Sequence, residues 1–143
     1  MKRNIILIIL IIFLDQLIKF FISNMEVFSS ITIISNFLSI TYVQNTGAAF
    51  SILSDNTLLI IIISFLFLYL LYKYILNSEK YKNYSFLLIG GVISNLIDRI
   101  FRGYVIDYLD FKIINYNFPI FNVADICIVI GCIIVIIYTL KKE

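Results

Sequence analysis

The chain has 143 residues, of which 62% are hydrophobic and 14% charged, with one proline and a mean hydropathy of +1.02. Water-soluble domains carry about 25% charged residues, so this composition excludes an ordinary globular protein and makes lipid the solvent for most of the chain. The formal charge of +2 is small and no basic cluster is interleaved with aromatics, so nucleic acid is not an expected partner.

A helix needs about 20 mostly apolar residues to cross a hydrocarbon core about 30 Å thick. Residues 4–22 form the first such run. Lys2 and Arg3 ahead of it resemble the start of a secretory signal. Asp15 and Lys19 inside it, and the lack of a small-residue cleavage site after it, favour a retained helix. Asp15 and Lys19 are spaced i, i+4 and share one helix face. They form either an ion pair held in lipid or a helix-end anchor with Lys19 snorkelling to the surface.

From 23 to 56 the pattern changes: Ile31-Thr32-Ile33 and Leu38-Ser39-Ile40-Thr41-Tyr42-Val43 alternate apolar and polar residues, as half-buried strands do. The segment Asn45-Thr46-Gly47-Ala48-Ala49-Phe50 follows, with Gly47 suited to a tight path just before the second apolar run, 57–76. The third run, 84–101, contains Gly90 and Gly91, which admit a close neighbour. One turn later Asn95, Asp98 and Arg99 stand at i, i+3, i+4, so one face presents an amide, a carboxylate and a guanidinium. Asp98 reads best as a structural partner of Arg99 or Arg102.

The connection 102–118 carries Asp107 and Asp110 and ends on the turn-prone Asn115-Tyr116-Asn117 before Pro119, a residue that suits a first helical turn. It is read as an outer connection whose mobile part carries Asp107. Pairing with the strands of 23–56 is left open by sequence alone. The fourth run, 119–140, places Asn122 and Asp125 i, i+3 near its start. An intramembrane carboxylate with no basic residue nearby on its own helix points to function. Cys127 and Cys132 lie five apart, neither C-x-x-C nor a metal spacing, and read as buried thiols.

The predicted fold is therefore an all-α integral membrane protein, with four transmembrane helices and a small extracytoplasmic β element, forming one domain over residues 1–143. Basic residues orient it. Lys2 and Arg3, then Lys73, Lys80 and Lys82, then Lys141 and Lys142 put both termini and the middle connection in the cytoplasm. Asp15, Glu26, Asp55, Asp98, Asp107, Asp110 and Asp125 then fall in the outer half, so polar chemistry converges on the extracytoplasmic side.

The chain has no histidine, which rules out H-E-x-x-H zinc peptidases and serine or cysteine enzymes with a histidine base. A Ser/Lys dyad through Lys19 lacks a serine in a distinctive context. Aspartate remains in quantity. Two close aspartates tend to share one proton, so that one activates water while the other donates to a carbonyl, with no metal and no covalent intermediate.

These residues resemble the prolipoprotein signal peptidase, or signal peptidase II, family along almost the whole chain. Asp15-Gln16-Leu17-Ile18-Lys19, Asn45-Thr46-Gly47-Ala48-Ala49-Phe50-Ser51, Gly90-Gly91 with Asn95, Asp98 and Arg99, Gly103-Tyr104-Val105-Ile106-Asp107, and Phe121-Asn122-Val123-Ala124-Asp125 resemble its five motifs in order. Tyr108 departs from the family's usual phenylalanine but keeps an aromatic ring.

The resemblance implies an aspartic endopeptidase of the bacterial cytoplasmic (inner) membrane, acting at the outer face. Its substrates would be lipidated prolipoproteins, cut just before the diacylglyceryl-modified cysteine. Asp107 and Asp125 would be the catalytic pair. Asp15, Lys19, Asn45, Gly47, Asn95, Asp98, Arg99 and Asn122 would bind or support. No cofactor and no metal are expected, and the partners are substrate and membrane lipids around a monomer. Two other classes compete. A proton- or ion-conducting subunit needs polar residues through the whole membrane, and the inner halves of the helices offer almost none. A purely structural partner would not explain Asp107.

Overall fold

The computed structural model describes residues 2–47, 56–73, 85–114 and 116–141. In chain order these form α1 (Lys2–Ile22), β1 (Ser30–Ile34), β2 (Leu38–Asn45), α2 (Thr57–Leu71), α3 (Phe86–Arg102), β3 (Val105–Ile113), β4 (Tyr116–Asn117) and α4 (Val123–Leu140).

Among the described residues, α1 and α4 are long and apolar enough to cross a membrane, with 21 and 18 residues and a hydropathy of 2.7 each. The buried core helix of a soluble protein passes the same test, but most of its side chains are covered. Here Ile6, Ile9, Phe13, Val129, Ile133 and Ile136 all face outward, which costs nothing only where the surroundings are apolar. The shorter α2, with 15 residues, is equally apolar and largely exposed. Its helical turn continues through Lys73, and the remainder of the 57–76 run lies outside the described residues.

The central helix is α3, whose polar residues gather toward its C-terminal half. Its buried face holds Leu88, Gly90, Gly91, Val92, Ser94, Asn95, Leu96 and Asp98, and it packs against both α1 and α4. A methyl group on Gly91 would sit 2.4 Å from the Ala124 carbonyl oxygen and 2.8 Å from the Ile128 side chain. The backbone of α4 would have to move, since a carbonyl cannot turn aside like the tip of a side chain. Gly91→Ala is therefore expected to destabilise the fold by about 1–3 kcal/mol, read as a lower melting temperature in detergent. At its far end α3 stops at Gly103, whose φ of +82° turns the chain into β3 with its N–H on the Arg99 carbonyl.

The sheet runs β1-β2-β3-β4 with antiparallel neighbours. Pairing of β2 with β3 brings Val43 opposite Asp107 and Asn45 opposite Val105. Thus the two outer segments left unconnected by the sequence form one sheet. Ile22, Tyr42, Ile106 and Tyr108 make the core between the end of α1 and this sheet.

Two expectations are corrected. Asp107 does not lie on a mobile connection: it sits in β3, almost fully buried, because Ile106 and Tyr108 on either side anchor the strand in the core. Nor does Pro119 open the fourth helix. Phe121 pairs with Leu109 and keeps the chain extended, so α4 begins only at Val123. Its N-cap is Asn122, whose side chain accepts from the Asp125 N–H while the Asp125 carboxylate accepts from the Asn122 N–H, a reciprocal capping box.

Candidate active site

The residues singled out from sequence converge where α3, β3, the end of β2 and the start of α4 meet. Asn122 is the junction. Its Nδ2 donates to Asp107 Oδ1 at 2.7 Å and its Oδ1 accepts from the Asp125 N–H at 2.9 Å. One residue thereby ties the strand carboxylate of Asp107 to the helix turn that carries Asp125, whose own carboxylate accepts from the Asn122 backbone N–H at 3.2 Å.

Each aspartate is also met by a second asparagine. Asn45 Nδ2 donates to Asp107 Oδ2 at 2.8 Å, while Asn45 Oδ1 accepts from the Gly47 N–H at 2.9 Å. Asn95 Nδ2 donates to Asp125 Oδ1 at 2.7 Å. Arg99 donates Nη2 to the Gly47 carbonyl at 2.8 Å, so Gly47 is held from both sides through its backbone. Burial, and then the nearby charge of Asp125, push the Asp107 carboxyl up to about 7 against the pull of the Asn45 and Asn122 amides.

Behind this group lies a buried ionic cluster. Lys19 is wholly covered and contacts Asp15 at 2.7 Å, Asp98 at 2.8 Å and Asn95 Oδ1 at 2.9 Å. The anchor alternative for Lys19 is thus overturned: it turns into the protein because two carboxylates await it there. Asp98 is shared between Lys19 and Arg102 and accepts as well from Gln16 Nε2 and the Ile106 N–H. It pairs with Arg102, not Arg99. Asp15 accepts from Ser94 Oγ at 2.7 Å and from the Ala124 N–H at 3.1 Å.

Asn95, Asp98 and Arg99 therefore share a helix but not a task. Asp98 points into the cluster with α1, Arg99 reaches Gly47, and Asn95 bridges cluster and carboxylates. Sequence reasoning missed Gln16 and Ser94, whose polarity inside apolar runs beside Asp15 and Asn95 was the available signal. It also passed over the Tyr108 hydroxyl, which accepts from the Val123 N–H at 3.3 Å and so uses the group by which this residue differs from phenylalanine.

Asn45, Asn95, Arg99, Asp107 and Asp125 line a groove of ≈ 870 Å³ whose other walls are mostly apolar, from α2, from α4 and from the segment 118–121 that precedes α4. Two carboxylates in the wall of a largely apolar groove suit a ligand with a long hydrocarbon part and a single polar reacting point.

Comparison with solved proteins places this architecture among membrane enzymes. It superposes with a TM-score of 0.90 on a bacterial membrane enzyme structure determined by the in meso method at 2.3 Å resolution, at 35% identity over 99% of this chain and 90% of that one. A second such structure, at 1.9 Å, gives a TM-score of 0.87 at 34% identity over 100% and 96% of the two chains. The chain is a membrane protein of that class.

The family described as Signal peptidase (SPase) II matches residues 7–141. The lipoprotein signal peptidase of Halothermothrix orenii is 42% identical over 96% of this chain and 95% of its own length. That of Clostridioides difficile is 41% identical over 97% and 95%, and that of Staphylococcus aureus 36% over 96% and 88%. The chain belongs to the signal peptidase II family of proteases.

Proposed function

We propose that the protein is an intramembrane aspartyl endopeptidase that removes the signal peptide from diacylglyceryl-modified prolipoproteins, cutting just before the lipidated cysteine. The observation that carries this reading is Asn122, which ties together Asp107 and Asp125 in the wall of a largely apolar groove. The four helical runs cross the bacterial cytoplasmic (inner) membrane with both termini in the cytoplasm, as one domain over residues 1–143. The sheet and the site lie at the outer face. The signal peptide's apolar segment occupies the groove, and its scissile bond lies beside the two carboxylates.

Asp125 is the ionised member, since it accepts from a backbone N–H, that of Asn122, and lies in the first turn of α4, where the helix dipole favours negative charge. Asp107, the carboxyl pushed up to about 7, holds the proton. Water attacks the carbonyl carbon and gives a proton to Asp125, while Asp107 protonates the carbonyl oxygen. The tetrahedral carbon then releases the cysteine nitrogen, which takes the proton from Asp125, and Asp107 recovers its own from the hydroxyl. Asp15, Lys19, Asn45, Gly47, Asn95, Asp98, Arg99 and Asn122 hold this pair in place. No metal and no cofactor take part.

The test is cleavage of a diacylglyceryl-modified precursor by purified protein in detergent. No cleavage by correctly folded protein would reject the reading. A pH profile adds a second check. Because the folded-state pKa of Asp107 is raised, its bound proton contributes stability below the ordinary carboxylate range, and that contribution is lost as pH rises through about 7. Activity needs the same proton, so kcat/KM is expected to fall on an alkaline limb near pH 7. Asn45→Ala removes a donor that favours the ionised form, so the limb should move to higher pH. A limb that stays in place or moves down would contradict the assignment of the proton to Asp107.

A further inference from the structure

As water adds to a peptide carbonyl, negative charge builds on its oxygen, and donors aimed at that oxygen accelerate the step. A helix amino terminus commonly offers such donors, and α4 begins at the groove. Its N–H groups are nevertheless all taken. That of Asn122 goes to Asp125 Oδ2, that of Val123 to Tyr108 Oη, that of Ala124 to Asp15 Oδ1 and that of Asp125 to Asn122 Oδ1. Besides the proton of Asp107, the oxygen must be met by side chains.

Asn95 is placed for this. Its Oδ1 accepts from Lys19 Nζ at 2.9 Å and its Nδ2 donates to Asp125 Oδ1 at 2.7 Å. An ammonium only donates, so Lys19, joined on the same oxygen by the longer 3.3 Å bond from Asn122 Nδ2, fixes which end of the amide faces the ionic cluster and which faces the groove. Lys19 itself has no freedom, being fully buried between Asp15 and Asp98. A buried cation on the amide oxygen also polarises the amide and strengthens its N–H donors. The amide nitrogen carries two hydrogens. One serves Asp125, and Asn95 lines the groove, which leaves the second to whatever lies there. Asn45, its counterpart at Asp107, has its oxygen held by the neutral Gly47 N–H instead.

We infer that Asn95, polarised and oriented by the buried Lys19 ammonium, donates its second N–H to the oxygen of the scissile carbonyl as charge builds there. Asn95 is then a catalytic residue and Lys19 a positioning residue that acts through it. The inference rests on the aspartate-pair reading of the site and adds the group that receives the oxygen. The rival donor is Arg99, which also lines the groove and whose buried Nε has no hydrogen-bond partner among the described residues.

The full-length protein in detergent is assayed with a diacylglyceryl-modified precursor peptide, and with an inhibitor in which a hydroxyl-bearing tetrahedral carbon replaces the scissile carbonyl. For Asn95→Ala, kcat is expected to fall about 10²-fold with KM within about twofold, and affinity for the tetrahedral inhibitor to fall in parallel with kcat. Asn95→Asp keeps the shape and the contact with Lys19 but has no N–H to give and sets a second carboxylate against Asp125, so it should be at least as defective. If Asn95 were needed only as a structural link to Lys19, Asn95→Asp would restore activity, and that result would overturn the inference. Lys19→Met that folds should show the same fall in kcat at constant KM. If it does not fold, the two Asn95 variants decide alone. Equal changes in KM and kcat for Asn95→Ala, or a tetrahedral preference lost only in Arg99→Lys, would also overturn it. The Asp125→Asn protein separates the two levels: normal cleavage there removes the aspartate reading itself, whereas an inactive Asp125→Asn beside a fully active Asn95→Ala removes only this inference.

Discussion

Replacing Asp107 or Asp125 with asparagine is expected to lower precursor cleavage per folded molecule by about 10³-fold or more, while the protein still folds and binds precursor. General acid and base groups contribute about 10²–10⁴-fold each, and a pair that passes one proton back and forth loses most of its rate when either member is removed. Folding should survive because the amide keeps the carboxylate's shape and one acceptor oxygen. At Asp107 that oxygen can still accept from Asn45 or Asn122, and at Asp125 from Asn95 or the Asn122 N–H. The measurement is initial cleavage rate divided by the amount of monodisperse protein, with precursor binding followed separately. An active Asp107→Asn would remove it from the chemistry.

Asp98→Asn should fail in the opposite way, with a large loss of folded protein and a smaller loss of turnover in what folds. Asp98 is completely buried and accepts from two cations, an amide and a backbone N–H. An asparagine there must turn an NH2 group toward Lys19 or Arg102, donor against donor, and it removes the charge that offsets them. Breaking a buried ionic network from one side costs about 3–5 kcal/mol, a large share of the 5–15 kcal/mol that typically holds a domain together. Thermal unfolding in detergent beside the cleavage assay decides the point. A normally folded but inactive Asp98→Asn beside an active Asp107→Asn would transfer the catalytic role to Asp98.

Taken together, the two experiments separate residues that no spacing rule distinguishes. Asp98 and Asp107 are nine positions apart and both precede or follow a helix end rich in arginine. What sets them apart is the company each keeps: cations around Asp98, amides and a second carboxylate around Asp107.

Much was determined by sequence alone. Apolar runs broken by few charges mark the helices, since lipid tolerates little else. Period-two alternation marks β1 and β2, and the order of five short motifs marks the family. Those signals are local, and a chain in lipid must satisfy them locally. The tertiary structure decided the rest. It paired β2 with β3, drew Asp107 from a supposed mobile connection into a buried strand, shifted the start of α4 from Pro119 to an Asn122 cap, and turned Lys19 inward. Each outcome depends on partners far away in sequence, with Asp15 meeting the Ala124 N–H across 109 positions and Lys19 meeting Asn95 across 76. A buried charge or amide goes where its unmet donors and acceptors are paired. Periodicity carries no information about where those partners lie until the helices have packed.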